Sequence, residues 1–201
     1  LGAVAAVRPS LRHLRIALFA DWGHTVRHRG LDGFAADVRA AGADAVLVHA
    51  LPPRMRAAHD EVLAATRLPA VTTCYASSAP EVLAEAAARP SAYLYLVATY
   101  GRSGSAPEAG FGPLAGTVAS LRAASAAPVA VGFGVRTAAD VAAVAGRGGL
   151  GADAAVVGTA VVSRVERALT DRRDVVADLR DLVRTLRPEP SPTPSPRGEA
   201  R

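Results

Sequence analysis

The chain has 201 residues, of which 50% are hydrophobic and 4% aromatic, and its formal net charge is +5. This length and apolar content suffice for one large domain with a sizeable core. No stretch approaches the roughly 20 apolar residues of a membrane-spanning helix, and no basic segment precedes the apolar first residues as in a secretory signal. The single cysteine, Cys74, excludes an internal disulfide and a multi-cysteine zinc site. We therefore expect a cytoplasmic location.

The positive net charge does not indicate nucleic-acid binding. Lysine is absent, which is typical of a GC-rich genome, and the arginines are scattered among acids, as in Arg172-Arg173-Asp174. A nucleic-acid surface concentrates basic residues in a stripe, often with aromatic side chains between them. We therefore expect no nucleic-acid partner.

Short apolar segments alternate along the chain with alanine-rich segments of helical periodicity. The apolar segments are apolar on both faces, which is typical of parallel strands covered by helices. We predict strands over residues 15–20, 43–49, 69–74, 92–97, 128–132 and 152–158. We predict helices over residues 31–41, 54–67, 79–88, 114–124, 138–147, 161–169 and 173–186, with the end of a further helix over residues 1–8.

Six strand–helix units suit either an open doubly wound sheet or part of a (β/α)8 barrel. The strands begin about 25 to 35 residues apart, which is the length of a βα unit. Because a complete barrel has eight strands, the barrel interpretation implies that two strands are missing upstream. We predict an α/β fold of the (β/α)8 TIM-barrel type over residues 1–187 and a disordered, Pro/Ser-rich tail over residues 188–201.

Glycine-rich loops follow the last three predicted strands. They lie within residues 99–110, at Gly132-Phe133-Gly134 and at Gly158-Thr159, which opens a helix. In (β/α)8 barrels the last two such loops bind phosphate, because glycine admits a close approach and free helix N–H groups point at the anion. The pattern predicts a phosphate site, and the alternative is that these glycines only turn the chain. Thr137 and Asp140 fit a capping box for the helix after the fifth strand.

The same loops carry a resemblance to a known family. Three segments resemble the family of tryptophan synthase α subunits: Tyr93–Val97 with the glycine loop after it, residues 127–135, and residues 151–162. The corresponding family patterns are YxYL followed by xGxTG, then PxxxGFGI, and then GAxGxxxGSAIV. Residues 16–48 also match in order and spacing, so the resemblance covers about residues 1–187.

The resemblance implies a lyase of tryptophan biosynthesis that cleaves indole-3-glycerol phosphate by a retro-aldol reaction to indole and glyceraldehyde 3-phosphate. It implies no cofactor or metal in this subunit and pairing with a pyridoxal-phosphate β subunit as α2β2. The phosphate-binding residues that it implies are Gly104, Gly134, Gly158 and Thr159. The substrate-pocket residues that it implies are Phe19, Tyr95, Ser103 and Phe133.

The resemblance leaves the catalytic residues unassigned. The family keeps two carboxylates, suited to protonating the indole carbon and taking a hydroxyl proton, on its second strand and the loop after it. No residue of this chain matches them, and we expect them upstream.

Several positions depart from the family pattern and leave alternatives open. Ala50 stands where the family has an aspartate, Asp21 where it has an asparagine and Thr99 where it has a loop arginine, while Arg102 lies three residues further on. One alternative is another phosphate-sugar barrel enzyme, such as a phosphoribosylanthranilate isomerase or thiazole synthase relative, although the absence of lysine argues against Schiff-base chemistry. Another is a catalytically silent barrel that binds a phosphate ligand or serves as a partner subunit.

Other side chains are weaker candidates for chemistry. His49, at a strand end, is a candidate general base, although a merely polar strand terminus is the commoner case. His24 and His28 are four residues apart in a predicted loop, so we expect no metal site there. Cys74 is expected to be a small buried hydrophobic residue rather than a nucleophile.

Overall fold

The computed structural model describes residues 1–98, 110–145 and 148–187, in which strands and helices alternate. The strands are β1 (Ala17–Asp21), β2 (Ala45–His49), β3 (Val71–Tyr75), β4 (Tyr93–Val97), β5 (Val129–Gly132) and β6 (Ala154–Val156). The helices are α1 (Gly2–Val7), α2 (Arg27–Arg29), α3 (Leu31–Ala40), α4 (Arg56–Thr66), α5 (Pro80–Ala88), α6 (Ala115–Ala124), α7 (Ala138–Ala145), α8 (Thr159–Thr170) and α9 (Val175–Thr185).

All strand pairs are parallel and follow the order of the chain. Strand β1 pairs with β2, and β3, β4, β5 and β6 pair in succession. One bridge, between Val46 and Ala70, joins the two groups. A doubly wound sheet reverses its strand order near the middle, whereas consecutive order is that of a barrel. The fold is therefore of the (β/α)8 type, with six βα units, as predicted.

The two faces of the strands bury different side chains. On the helix-facing side, four strand residues are fully buried and pack with residues of α6: Leu94, Leu96, Val129 and Val131. On the opposite face, Tyr93 and Tyr95 pack against Ala45, Leu47 and Val71. Because successive strand residues point to opposite faces, this second face lines the barrel interior.

Two Gly-Ala-Asp sequences fasten the amino ends of the strands. Asp44, before β2, accepts a 2.8 Å hydrogen bond from the amide of Ile16, before β1. Asp153, before β6, accepts a 2.9 Å bond from the amide of Val129 at the start of β5. Each carboxylate thus ties its strand to the preceding neighbour at the face of the barrel that serves stability rather than catalysis.

The structure corrects the sequence analysis in one region. The sequence predicts that His24 and His28 lie in a loop with Gly23 and Gly30. Trp22–Val26 instead forms a π-helical turn that continues into α2. The turn is stabilised by Asp21, whose side chain accepts a bond from the amide of His24. A local side-chain cap therefore outweighs the low helix propensity of one glycine.

Several predictions fall outside the described residues. They concern Thr99, Arg102, Ser103 and Gly104 in the loop after β4, and the tail over residues 188–201. In the part of the chain that the structure describes, no helix is long and apolar enough to cross a membrane.

Candidate ligand cavity at the carboxyl ends of the strands

A cavity of about 680 Å³ opens inside the barrel where β1, β4, β5 and β6 end. Its walls are Phe19, Tyr95, Phe133, Gly134, Val135, Arg136, Val156, Gly158, Thr159 and Val162. The volume lies within the range typical of small-molecule sites, about 300 to 1,000 Å³. The carboxyl ends of the strands are also where (β/α)8 barrels place their active sites.

The fold brings most of the predicted site residues together in this cavity. Gly134, Gly158 and Thr159 lie in its wall, and so do Phe19, Tyr95 and Phe133. They come from segments more than 130 residues apart in the chain, so their meeting is a property of the strand order. Gly104 and Ser103, the remaining predicted members, lie outside the described residues.

The turn after β5 has an unusual backbone. Phe133 and Gly134 both have positive φ angles, 70° and 89°. That conformation is easy for glycine but strained for a bulky side chain, at about 1 to 3 kcal/mol. The strained turn places Phe133 in the cavity wall, and such strain clusters at ligand-binding sites.

Helix α7, which follows this turn, caps itself. The amides of Arg136 and Thr137 each donate a 2.9 Å bond to Asp140 Oδ2, and the Asp140 amide donates 3.1 Å to Thr137 Oγ1. The predicted capping box is confirmed. Burial acts to raise the pKa of Asp140, but these hydrogen bonds and the nearby Arg136 charge outweigh it and hold the pKa below its ordinary value.

Helix α8 begins differently, because no side chain caps it at Gly158. The amides of Val161 and Val162 bond to the Gly158 carbonyl at 2.9 and 3.2 Å. The first two helical amides, those of Thr159 and Ala160, have no carbonyl to reach within the helix. Free N–H groups and the helix dipole together favour an anion at this position.

The cavity is also lined by four residues that the sequence did not predict as site residues: Arg136, Val135, Val156 and Val162. Arg136 matters most because it adds a positive charge to the wall that holds the start of α8. Its position two residues after the Gly-Phe-Gly turn was a usable signal. The three valines gave no sequence signal of a site role, because their spacing is that of ordinary strand and helix residues.

The mouth of the barrel carries a second group of side chains, on β1 and β2. The His24 amide and its ring nitrogen Nδ1 lie 2.9 and 2.8 Å from Asp21 Oδ1, and these contacts hold the pKa of Asp21 below its ordinary value. His49, the last residue of β2, stacks on Phe19 with ring centres 5.6 Å apart. No group of three or more His, Cys, Asp or Glu side chains suited to a metal occurs in the described ranges.

Cys74 is part of the core rather than of the cavity. It lies on the helix-facing side of β3, is 2% exposed and belongs to the same cluster as Leu94 and Leu96. Burial raises the pKa of its thiol to about 11. The predicted role as a small buried hydrophobic residue is confirmed.

Consecutive parallel strands with a cavity at their carboxyl ends define a protein of the (β/α)-barrel class. The family model described as tryptophan synthase alpha chain matches residues 3–189. The chain belongs to this family.

Curated relatives agree with this assignment. The tryptophan synthase alpha chain of Burkholderia multivorans is 32% identical over 166 residues, which cover 83% of this chain and 59% of that protein. The alpha chain of Caulobacter sp. strain K31 is 37% identical over 143 residues, which cover 71% of this chain and 50% of that protein. The chain thus spans a little over half of the length of these relatives.

Solved structures are similar over nearly the whole chain. Tryptophan synthase of Mycobacterium tuberculosis is 29% identical with a TM-score of 0.72, covering 91% of this chain and 67% of that one. A mutant tryptophan synthase alpha-subunit of Pyrococcus furiosus is 24% identical with a TM-score of 0.74, covering 92% and 71%. The second likeness concerns the fold alone.

Proposed function

We propose that this chain forms the substrate-binding part of a tryptophan synthase α subunit, a lyase that cleaves indole-3-glycerol phosphate to indole and glyceraldehyde 3-phosphate. The observation that carries the proposal is the composition of the cavity. Its wall includes Arg136, the uncapped start of α8 and the aromatic residues Phe19, Tyr95 and Phe133. A ligand with an anionic head and a flat aromatic body matches this wall.

The phosphate end of the substrate is assigned to the loops after β5 and β6. Gly134, Gly158 and Thr159 provide backbone that an oxyanion approaches closely, and Arg136 supplies the charge. Gly104 is proposed to complete this site. The strength of such binding comes from fixed N–H groups that need no reorganisation when the anion arrives.

The indole end is assigned to the aromatic wall. Phe19 from β1, Tyr95 from β4 and Phe133 after β5 line the cavity together, and Ser103 is proposed as a further substrate-pocket residue. Burial keeps the pKa of Tyr95 above its ordinary value, so its hydroxyl stays neutral. The two proton transfers are assigned to no residue of this chain.

We also propose the partner and the location that the family implies. The partner is a β subunit that binds pyridoxal phosphate and consumes the indole, within an α2β2 assembly, and the location is cytoplasmic. The α subunit itself is proposed to use no cofactor. Residues 1–187 are proposed as one domain, followed by a disordered tail over residues 188–201.

A second candidate function is binding without cleavage. It is favoured by Ala50, which follows β2 with a φ of 54° and has no carboxylate where the family has one.

One assay distinguishes the two candidate functions. The complete protein that contains this chain is incubated with indole-3-glycerol phosphate, and indole is followed by chromatography. Release of indole supports the lyase, whereas saturable binding with no indole supports the silent barrel.

A further inference from the structure

The pairing between neighbouring strands is least extensive between β2 and β3. The other neighbouring strands pair over three to five residues each, but Val46 and Ala70 form the one bridge described here. Beyond that bridge, towards the carboxyl ends, a second cavity of about 320 Å³ opens between the two strands and helices α4 and α5. It shares no lining residue with the first cavity.

The wall of this second cavity includes His59, a histidine on α4 that the proposed lyase chemistry does not use. Its side chain is 7% exposed, and its Nδ1 lies 3.1 Å from Asp60 Oδ1. Asp60 is ion-paired with Arg89 at 2.6 Å, so it is an ionised group that only accepts hydrogen bonds. We assign the proton to Nδ1 from this network, and in that tautomer Nε2 is an acceptor.

That acceptor is unsatisfied. His59 Nε2 is buried and has no hydrogen-bond partner in the described part of the chain. Buried polar atoms in native proteins are paired with protein groups, ordered water or a ligand. His59 is one of the residues that line the cavity, and we infer that a turn of the imidazole about χ2, a torsion with a broad energy well, brings Nε2 to a donor inside it.

The other residues that line the cavity indicate which kind of molecule it can bind. The charged side chains are already paired, Arg56 with Glu85 at 3.2 Å and Arg89 with Asp60, which disfavours an ion. Thr72 also lines the cavity, and its hydroxyl is hydrogen-bonded to Ser91 Oγ at 2.6 Å. The apolar share of the wall is Val48, Ala50, Leu51, Ala70, Val71, Val82 and Ala86. A neutral molecule with several hydroxyls on a short carbon chain fits this mixture.

We propose that the cavity between β2 and β3 binds a small neutral polyol, one hydroxyl of which donates to His59 Nε2. The space equals roughly ten liquid water volumes of about 30 Å³ each, so it admits a molecule of several heavy atoms. The guanidinium N–H groups of Arg56 and Arg89 that their acids leave free donate to the other hydroxyl oxygens.

The test follows the Nε2 resonances of the five histidines in the full chain labelled with ¹⁵N-histidine, during titration with erythritol. One resonance is expected to move saturably, and it is expected to be missing from the His59→Leu variant. A linear drift of all resonances would mean that the polyol acts only as a solvent additive and that water alone fills the cavity. A saturable shift that persists in His59→Leu would also overturn the proposal.

A second variant serves if His59→Leu does not fold. Val82 lines the cavity from α5 and is 54% exposed, so Val82→Trp narrows the opening without disturbing the core. Its half-saturating erythritol concentration is expected to rise at least roughly tenfold, or about 1.4 kcal/mol. Val183→Trp, equally exposed at 54% on α9, is the matched control and should behave as wild type. Unchanged affinity in Val82→Trp contradicts the proposal.

Discussion

The ring of Tyr95 lies directly against the backbone of Gly132. A Cβ atom added to Gly132 would fall 2.6 Å from Tyr95 Cε2 and 2.8 Å from its hydroxyl oxygen. These distances are shorter than non-bonded carbon and oxygen atoms tolerate. The missing side chain of Gly132 therefore allows the Tyr95 ring its position in the cavity wall.

Gly132→Ala is therefore expected to displace Tyr95 and to lower the free energy of unfolding by about 1 to 3 kcal/mol, as other overpacked sites do. The same change in a Tyr95→Leu background should cost less, because the clashing ring is gone. Chemical denaturation of the four proteins of this cycle measures the coupling. Gly116→Ala in α6, where the added Cβ meets nothing within 4 Å, is the control and should stabilise slightly. Equal losses in both backgrounds would contradict the contact.

The sequence predicted the fold because each strand–helix unit carries its own signal. Apolar runs, helical periodicity and breakers act locally, so all six strands were located near their observed positions. The cavity residues could be named from the Gly-Phe-Gly and Gly-Thr loops together with a family resemblance. The narrow β2–β3 contact and the unpaired nitrogen of His59 could not be predicted, because strand register and side-chain burial depend on the whole packed structure.

Asp44 gives a prediction about pH. The amide of Ile16 holds the pKa of Asp44 below its ordinary value, against the effect of burial and with help from Arg8 and Arg15. A carboxylate with a lowered pKa stabilises the fold above its unfolded pKa, near 3.9, and loses that contribution as the pH falls through the folded pKa. We expect Asp44→Ala to cost about 1 to 3 kcal/mol at pH 7.

The measurement is the free energy of unfolding of wild type and Asp44→Ala at several pH values. Their difference should shrink as the pH falls below about 4. Asp32→Ala, at an exposed position in the first turn of α3, should change stability by less than about 1 kcal/mol. A difference for Asp44 that is independent of pH would show that its charge is unimportant.

Cys74 should be chemically silent in the folded protein. With a thiol pKa of about 11 and 2% exposure, roughly one thiol in a thousand is ionised at pH 8, and thiolate is the reactive form. We expect a disulfide reagent such as Ellman's reagent to titrate no thiol until denaturant is added, and then one thiol per chain. Rapid labelling under native conditions would place Cys74 outside the core.

Substitution of Gly158 by aspartate is expected to raise the stability of the fold and to weaken ligand binding. It precedes α8, its φ is −109° and an added Cβ meets nothing within 4 Å. Gly158→Asp should therefore cap the helix and complement its dipole, raising the free energy of unfolding by a few tenths to about 1 kcal/mol. The same carboxylate would occupy the place proposed for phosphate. Thermal and chemical denaturation check the first effect, and Gly158→Ser provides a cap without a charge.

Calorimetric titration of wild type, Gly158→Ser and Gly158→Asp with indole-3-glycerol phosphate tests the proposed site most directly. We predict saturable binding to wild type, and binding at least roughly tenfold weaker, or about 1.4 kcal/mol, to the more stable Gly158→Asp protein than to Gly158→Ser. Equal affinity in all three proteins, or no binding to wild type, would contradict the assignment of this cavity to a phosphorylated indole substrate.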